Sequence, residues 1–153
     1  MRAAAVFLLC TLVLCSEAFA ESAKDWADCA SNEVERSIAG CNKIIARAKD
    51  TKVNLAIAYA NLGNDYQNKG NHDQAIADYT QSIKLNPSEP APYRNRGWSH
   101  GQKHEYDLAI DDYNQTLKLK PDYPSINYDL GWTYAAKKDH ARALMPVSGP
   151  GSG

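Results

Sequence analysis

The sequence has little of what catalysis or charge-driven binding requires. Its 17 basic and 18 acidic side chains leave a net charge of −1 over 153 residues. Such balance gives no basic footprint for nucleic acid and no signature of an anionic membrane surface. No glycine-rich phosphate loop, no Cys-x-x-Cys pair and no nucleophile beside a matched base is present, so the chain reads as a non-enzyme with no cofactor. The apolar stretch Ala3–Leu14, interrupted by Thr11, falls short of the roughly 20 residues that span a bilayer, which argues against a stable membrane anchor. Cysteine is scarce, at four residues, and two of these lie in that stretch or just behind it.

What stands at the N-terminus has an order of its own. Arg2, the apolar stretch and Ala18-Phe19-Ala20 make the charged start, short core and small-residue exit of a secretory signal peptide, with cleavage expected after Ala20. A buried first helix is the other use of these residues. Cys15 follows apolar residues as a lipoprotein cysteine would, but Leu14 is too large for that processing site. Cleavage removes Cys10 and Cys15, and Arg2 together with Glu17, so the mature chain keeps Cys29, Cys41 and the same net charge. An even cysteine pair in a periplasmic or secreted protein suggests a disulfide, with two reduced core cysteines as the alternative. Asn32 and Glu35 have capping-box spacing, which predicts a helix from about Glu33 carrying Ile38, Cys41, Ile44 and Ile45 on one face. Cys29 precedes it on a short helix with Trp26. A bridge closing about a dozen residues is worth roughly 3 kcal/mol.

The rest of the chain is periodic. Gly63, Gly97 and Gly131 stand 34 residues apart, as do Ala75, Ala109 and Ala143. Tyr59 and Tyr93, Asp78 and Asp112, Tyr79 and Tyr113, Leu85 and Leu119, and Pro87 and Pro121 keep the same register. Glycine inside a helix costs about 1 kcal/mol against alanine, so its recurrence implies close helix approach. The alanines are expected to open second helices, and the prolines to end each unit.

This unit resembles the tetratricopeptide repeat (TPR), a 34-residue helix–turn–helix with small, aromatic and proline positions at these places. The resemblance implies an all-α, right-handed α-solenoid of antiparallel helix pairs. It divides the chain into a signal peptide (1–20), an N-terminal helical cap (21–52), an array (53–145) and a flexible tail (146–153). Full repeats are expected at 56–89 and 90–123, and a partial one at 124–145. The cap reads as a degenerate repeat offset by 38 residues, with Cys41 in the place of Tyr79. Small exported bacterial TPR proteins with a cysteine-bearing cap look similar. Two departures stand out. Arg96 replaces the leucine of Leu62 and Leu130 and His100 replaces the tyrosine of Tyr66 and Tyr134, which makes the second repeat the softest. Pro146 stops the third repeat's second helix early, so Val147–Gly153 reads either as a natural end or as the scar of a truncation.

A TPR array implies a concave groove lined by first helices. Register places Asn61, Asn95 and Asp129 in one slot, Asn64, Trp98 and Trp132 in another, and Asn68 and Gln102 one turn on. Asn61 and Asn95 resemble the asparagine ladder that holds an extended peptide by its backbone, and the tryptophans would add apolar pockets. Solvated amides and core indoles are the plainer alternatives. In TPR domains that clamp an acidic carboxyl terminus, Asn64 and Asn95 have counterparts, but the basic positions fall at Ala60, Ser125 and Asp129, so the clamp is missing. Arg94 lies near enough to meet an acidic partner singly. His100 and His104, one turn apart, are weak metal candidates that want a third ligand such as Glu105 or Asp107. The reading is an exported adaptor binding a peptide or protein segment. The alternatives are an assembly module, self-associating through an open C-terminal end at Leu130 and Tyr134, and a periplasmic metal-binding factor.

Overall fold

Seven helices and no strand occur among the residues that the structure, a computed structural model, describes: 20–47 and 50–143, with backbone alone for 139–143. They are α1 (20–29), α2 (Val34–Arg47), α3 (Lys52–Asn68), α4 (His72–Leu85), α5 (Pro90–Gln102), α6 (Tyr106–Leu119) and α7 (Ile126–Ala143). Residues 1–19 of the expected signal peptide, Pro146 and the expected tail lie outside the described residues. Each helix from α2 onward packs on the next, and α3 also touches α5 as α5 touches α7. That arrangement is an α-solenoid.

The period seen in the sequence is also a period of backbone hydrogen bonds. Asn71 N donates to Tyr66 O at 2.8 Å, and 34 residues on Glu105 N donates to His100 O at 2.9 Å. Asn86 N to Ser82 O is repeated by Lys120 N to Thr116 O. Gly70 and His104 hold the same left-handed turn, at φ 73° and 62°. Glycine adopts it without steric cost and histidine does not. Side chains cap the first repeat, where Thr51 Oγ1 accepts from Asn54 N and Asn71 Oδ1 from Gln74 N. In the second repeat, Pro90 at the helix start presets φ instead.

At the N-terminal end, Cys29 and Cys41 form a disulfide that ties α1 to α2. Gly40 brings these helices together, since a Cβ there would lie 2.5 Å from Cys29 N. The α2 helix begins one residue later than expected. The side-chain oxygen at its entry is that of Ser31, accepting from Glu33 N at 3.1 Å, and not that of Asn32. Cys29, Cys41, Ile44, Ala58 and Leu62 form one core cluster with Trp26 and Tyr66 packed on it, so cap and first repeat share a core. Asp50 closes the joint, accepting from Trp26 Nε1 at 3.0 Å and from Thr51 N at 2.9 Å.

Two features depart from the pattern of the first repeat. Arg96 stands in the place of Leu62. Its guanidinium forks onto the buried Asp112 at 2.8 and 2.6 Å and reaches Thr80 Oγ1 at 3.0 Å. The second change is larger. The third repeat does not turn after Lys137: α7 runs on to Ala143, which therefore ends a helix instead of opening one. Lys138 occupies the register of Gly70 and His104, and nothing there favours the left-handed turn.

Candidate functional site

The first helices α3, α5 and α7 lie side by side, and their shared face carries the residues singled out by register. Three rungs cross it. Asn61 Nδ2 donates to Cys29 O at 3.3 Å, joining α3 to the cap. Asn95 Nδ2 donates to Asn64 Oδ1 at 3.0 Å, joining α5 to α3. Arg94 Nε meets Asp129 Oδ2 at 2.9 Å, joining α7 to α5. The asparagines thus present a ladder already bonded rung to rung, with Asn61 Oδ1 and Asn95 Oδ1 left as acceptors. The Tyr79 hydroxyl, under the ladder, donates to Asn64 Oδ1 at 2.8 Å and so fixes that amide from below.

Arg94 is a correction. The sequence sets it facing an acidic partner, but the chain supplies that partner itself: Asp129 is one residue beyond the next repeat's equivalent of Arg94 and falls opposite it. Together they leave the middle of the face close to neutral.

Two pockets flank the rungs. Towards the C-terminal end, Trp98, Gln102, Tyr113, Tyr128, Asp129 and Trp132 enclose about 160 Å³. Trp132 is 49% exposed and lies over Gly101, where a Cβ would make ordinary contact with the indole at 3.8 Å. Trp98 is held edge-on by His72, with ring centroids 5.4 Å apart. Burial pushes the Tyr113 hydroxyl up to about 12, so it stays neutral and can donate. Towards the N-terminal end, Asn61, Asn64 and Asn68 line a pocket of about 350 Å³ together with Ser31, Asn32 and Asp65.

The histidine pair does not converge. His100 Nδ1 lies 2.6 Å from Glu105 Oε2, and His104, on the strained turn, lies 2.7 Å from the Tyr106 hydroxyl. Among the described residues no three His, Cys, Asp or Glu side chains gather where a metal ion could be held.

Residues 56–89 match the family model of the tetratricopeptide repeat, and residues 101–138 match a second TPR-repeat model. The chain carries tetratricopeptide repeats. Three solved structures place its TPR fold. It is similar to the MamA protein, with a TM-score of 0.64 and 23% identity over 74% of this chain and 60% of that one. It is similar to the second TPR domain of human RPAP3, solved in complex with the HSP70 peptide SGPTIEEVD, at TM-score 0.65 and 22% identity over 78% and 96% of the two chains. The Sgt2 TPR domain from Aspergillus fumigatus gives TM-score 0.68 and 16% identity over 90% of each. At these identities the likeness shows the fold, and the chain spans about 60% of the length of MamA. No curated protein matches the sequence.

Sequence reasoning passed over Asp65 and Tyr128. Register held a signal for the first. Asp65 stands where the next repeats carry Ser99 and Thr133, and all three are buried. A charge in a slot otherwise filled by small hydroxyls is an exception that the 34-residue period makes visible.

Proposed function

We propose that this TPR chain is an exported protein-binding module that holds an extended segment of a partner along its concave face. The observation that carries the reading is the pocket between α5 and α7. Trp98 and Trp132, one repeat apart, wall a space of about 160 Å³ beside the exposed Gln102, which suits an apolar side chain of a bound segment. The rung acceptors Asn61 Oδ1 and Asn95 Oδ1 supply partners for its backbone N–H groups. The RPAP3 domain takes an acidic peptide, but the basic positions of such a clamp are Ala60, Ser125 and Asp129 here, so this partner's segment has different chemistry. Export is supported by the leader-like N-terminus and by the Cys29–Cys41 disulfide. Among the described residues no helix is long and apolar enough to cross a membrane.

Peptides selected from a random displayed library against the wild-type chain test the groove. Trp98→Ala with Trp132→Ala is expected to weaken the selected binders about ten-fold or more by calorimetry, with helicity retained. Leu108→Ala, on an exposed site of α6, is the control. Equal loss in the control, or none in the tryptophan variant, sinks the reading.

One observation favours assembly as a second reading. Gly63 and Gly97 are covered by α4 and α6, whereas among the described residues a Cβ on Gly131 would meet nothing within 4 Å, and Tyr134 is 54% exposed. If that open face joins copies of the chain, Tyr134→Asp, on an exposed site, converts an oligomer to a monomer in sizing experiments. A wild-type monomer at high concentration removes this reading.

A further inference from the structure

The N-terminal pocket has an electrostatic character that the rest of the groove lacks. Asp65 is 7% exposed, yet it lines this space and its Oδ2 is fully buried and accepts no hydrogen bond from the described residues. The Ser37 hydroxyl beside it offsets only part of the burial and also donates to Cys29 O at 2.8 Å. The chain's basic residues nearby are engaged elsewhere: Lys69 pairs with Glu35, and Arg36 with Asp28. A buried carboxylate with no counter-charge, and with no donor at Oδ2 among the described residues, is costly, and a fold tolerates it where something else supplies them.

The surroundings point the same way. The α1 helix ends at this wall, and the carbonyl end of a helix carries partial negative charge. Asn61 gives its amide N–H to Cys29 O, which leaves its Oδ1 as one more acceptor. The α2 helix starts here as well, which by itself would favour an anion. Its Glu33 amide is already taken by Ser31 Oγ, however, and Asp65 would repel an anion. Asn68, exposed at the mouth, has both a donor and an acceptor to offer.

The geometry points to a cation subsite at the N-terminal end of the groove, in which Asp65 and Asn61 Oδ1 receive the ammonium of a lysine side chain carried by the bound segment. The inference rests on the groove reading, because that segment delivers the cation. It also reverses the charge preference of a TPR clamp for an acidic carboxyl terminus. The pocket's volume of about 350 Å³ accommodates a four-carbon stem and its ammonium.

Three blocked tripeptides test it on the whole chain by NMR: acetyl-Ala-Lys-Ala-amide, the same peptide with norleucine, and the same with glutamate. The side-chain amides of Asn61, Asn64 and Asn68 report the subsite, and the indole N–H signals of Trp98 and Trp132 report the rest of the groove. The lysine peptide is expected to shift the three asparagine amides saturably, about ten-fold more tightly than the other two. Asp65→Asn, whose fold is checked by its own spectrum, is expected to abolish that preference. Equal shifts with lysine and norleucine, a preference for glutamate, or a lysine preference unchanged in Asp65→Asn each overturn the subsite. If all three peptides move the indoles but none moves the asparagines, the subsite falls and the groove stands. If the lysine peptide moves only the asparagines, the subsite stands and the wider groove falls.

Discussion

Three glycines in one register carry three different loads, and their environments set the sign of the same substitution. A Cβ on Gly63 would lie 2.5 Å from Cε1 of Tyr79, a ring with no exposed surface and no room to move. Gly63→Ala is expected to destabilise by about 1–3 kcal/mol through overpacking, despite alanine's better helix propensity. On Gly97 the nearest atoms are at 3.0 and 3.1 Å and include the backbone oxygen of Ala109, so Gly97→Ala should cost less than Gly63→Ala. A Cβ on Gly131 meets nothing within 4 Å among the described residues, and Gly131→Ala is expected to stabilise by about 1 kcal/mol. Urea midpoints for the three variants check the order. Asp65 gives a second prediction at this scale. Burial raises its carboxyl above the ordinary range, with the Ser37 hydroxyl opposing part of the rise. The folded chain therefore binds more protons than the unfolded one between the two pKa values, and this group's contribution to stability falls as pH rises through that window. Asp65→Asn is expected to be more stable than wild type at pH 7 by about 1 kcal/mol. The advantage should disappear in acid, below the ordinary carboxylate range, where both states of the wild type are protonated. A variant that gains stability while losing lysine recognition is what a binding residue gives, and a structural residue does not.

At the scale of elements, Arg96 shows how the second repeat replaces an apolar contact by an ionic one. Asp112 is 5% exposed, so removing its partner leaves a charge with no solvent. Arg96→Leu restores the residue the period calls for, yet is expected to cost about 3 kcal/mol. Adding Asp112→Leu should recover most of that loss, because well-packed apolar groups replace a buried ion pair at little net cost. A double-mutant cycle by chemical denaturation measures both, and additive losses would show that the pair is not coupled. The sequence made the helix pairs, their turns and the stapled cap legible because each depends on small residues, prolines and caps whose chemistry permits few alternatives. It did not show that Arg96 would find Asp112, since the two are 16 residues apart on different helices. Nor did it show that α7 runs straight through Lys138. A helix needs no signal in order to continue, whereas a turn needs a residue that accepts positive φ. The groove was legible as a face but not as a pattern of donors and acceptors. An asparagine can do either, and Asn61 and Asn95 turn their N–H groups inward onto the neighbouring helix.

In a solenoid each unit is stabilised chiefly by its neighbours, so a defect at one end should propagate inward and weaken with distance. The disulfide makes this measurable. Cys29 and Cys41 close a loop 12 residues apart in sequence, and their removal is expected to cost roughly 3 kcal/mol. That loss falls first on α1 and α2. It reaches α3 through the shared cluster of Ile44, Ala58 and Leu62 and through the Asn61 bond to Cys29 O. The Ala109, Tyr113 and Ile126 cluster between α6 and α7 has no member in common with it. Cys29→Ser with Cys41→Ser should therefore speed amide hydrogen exchange strongly in 20–47, partly in α3, and hardly at all in α6. Uniform acceleration across all helices would instead mean that the chain unfolds as one cooperative unit and that the cap holds the whole array. The same variant links stability to recognition. The N-terminal pocket is walled by Cys29 and Asn61, so a frayed cap should weaken binding there while the pocket of Trp98 and Trp132 keeps its affinity.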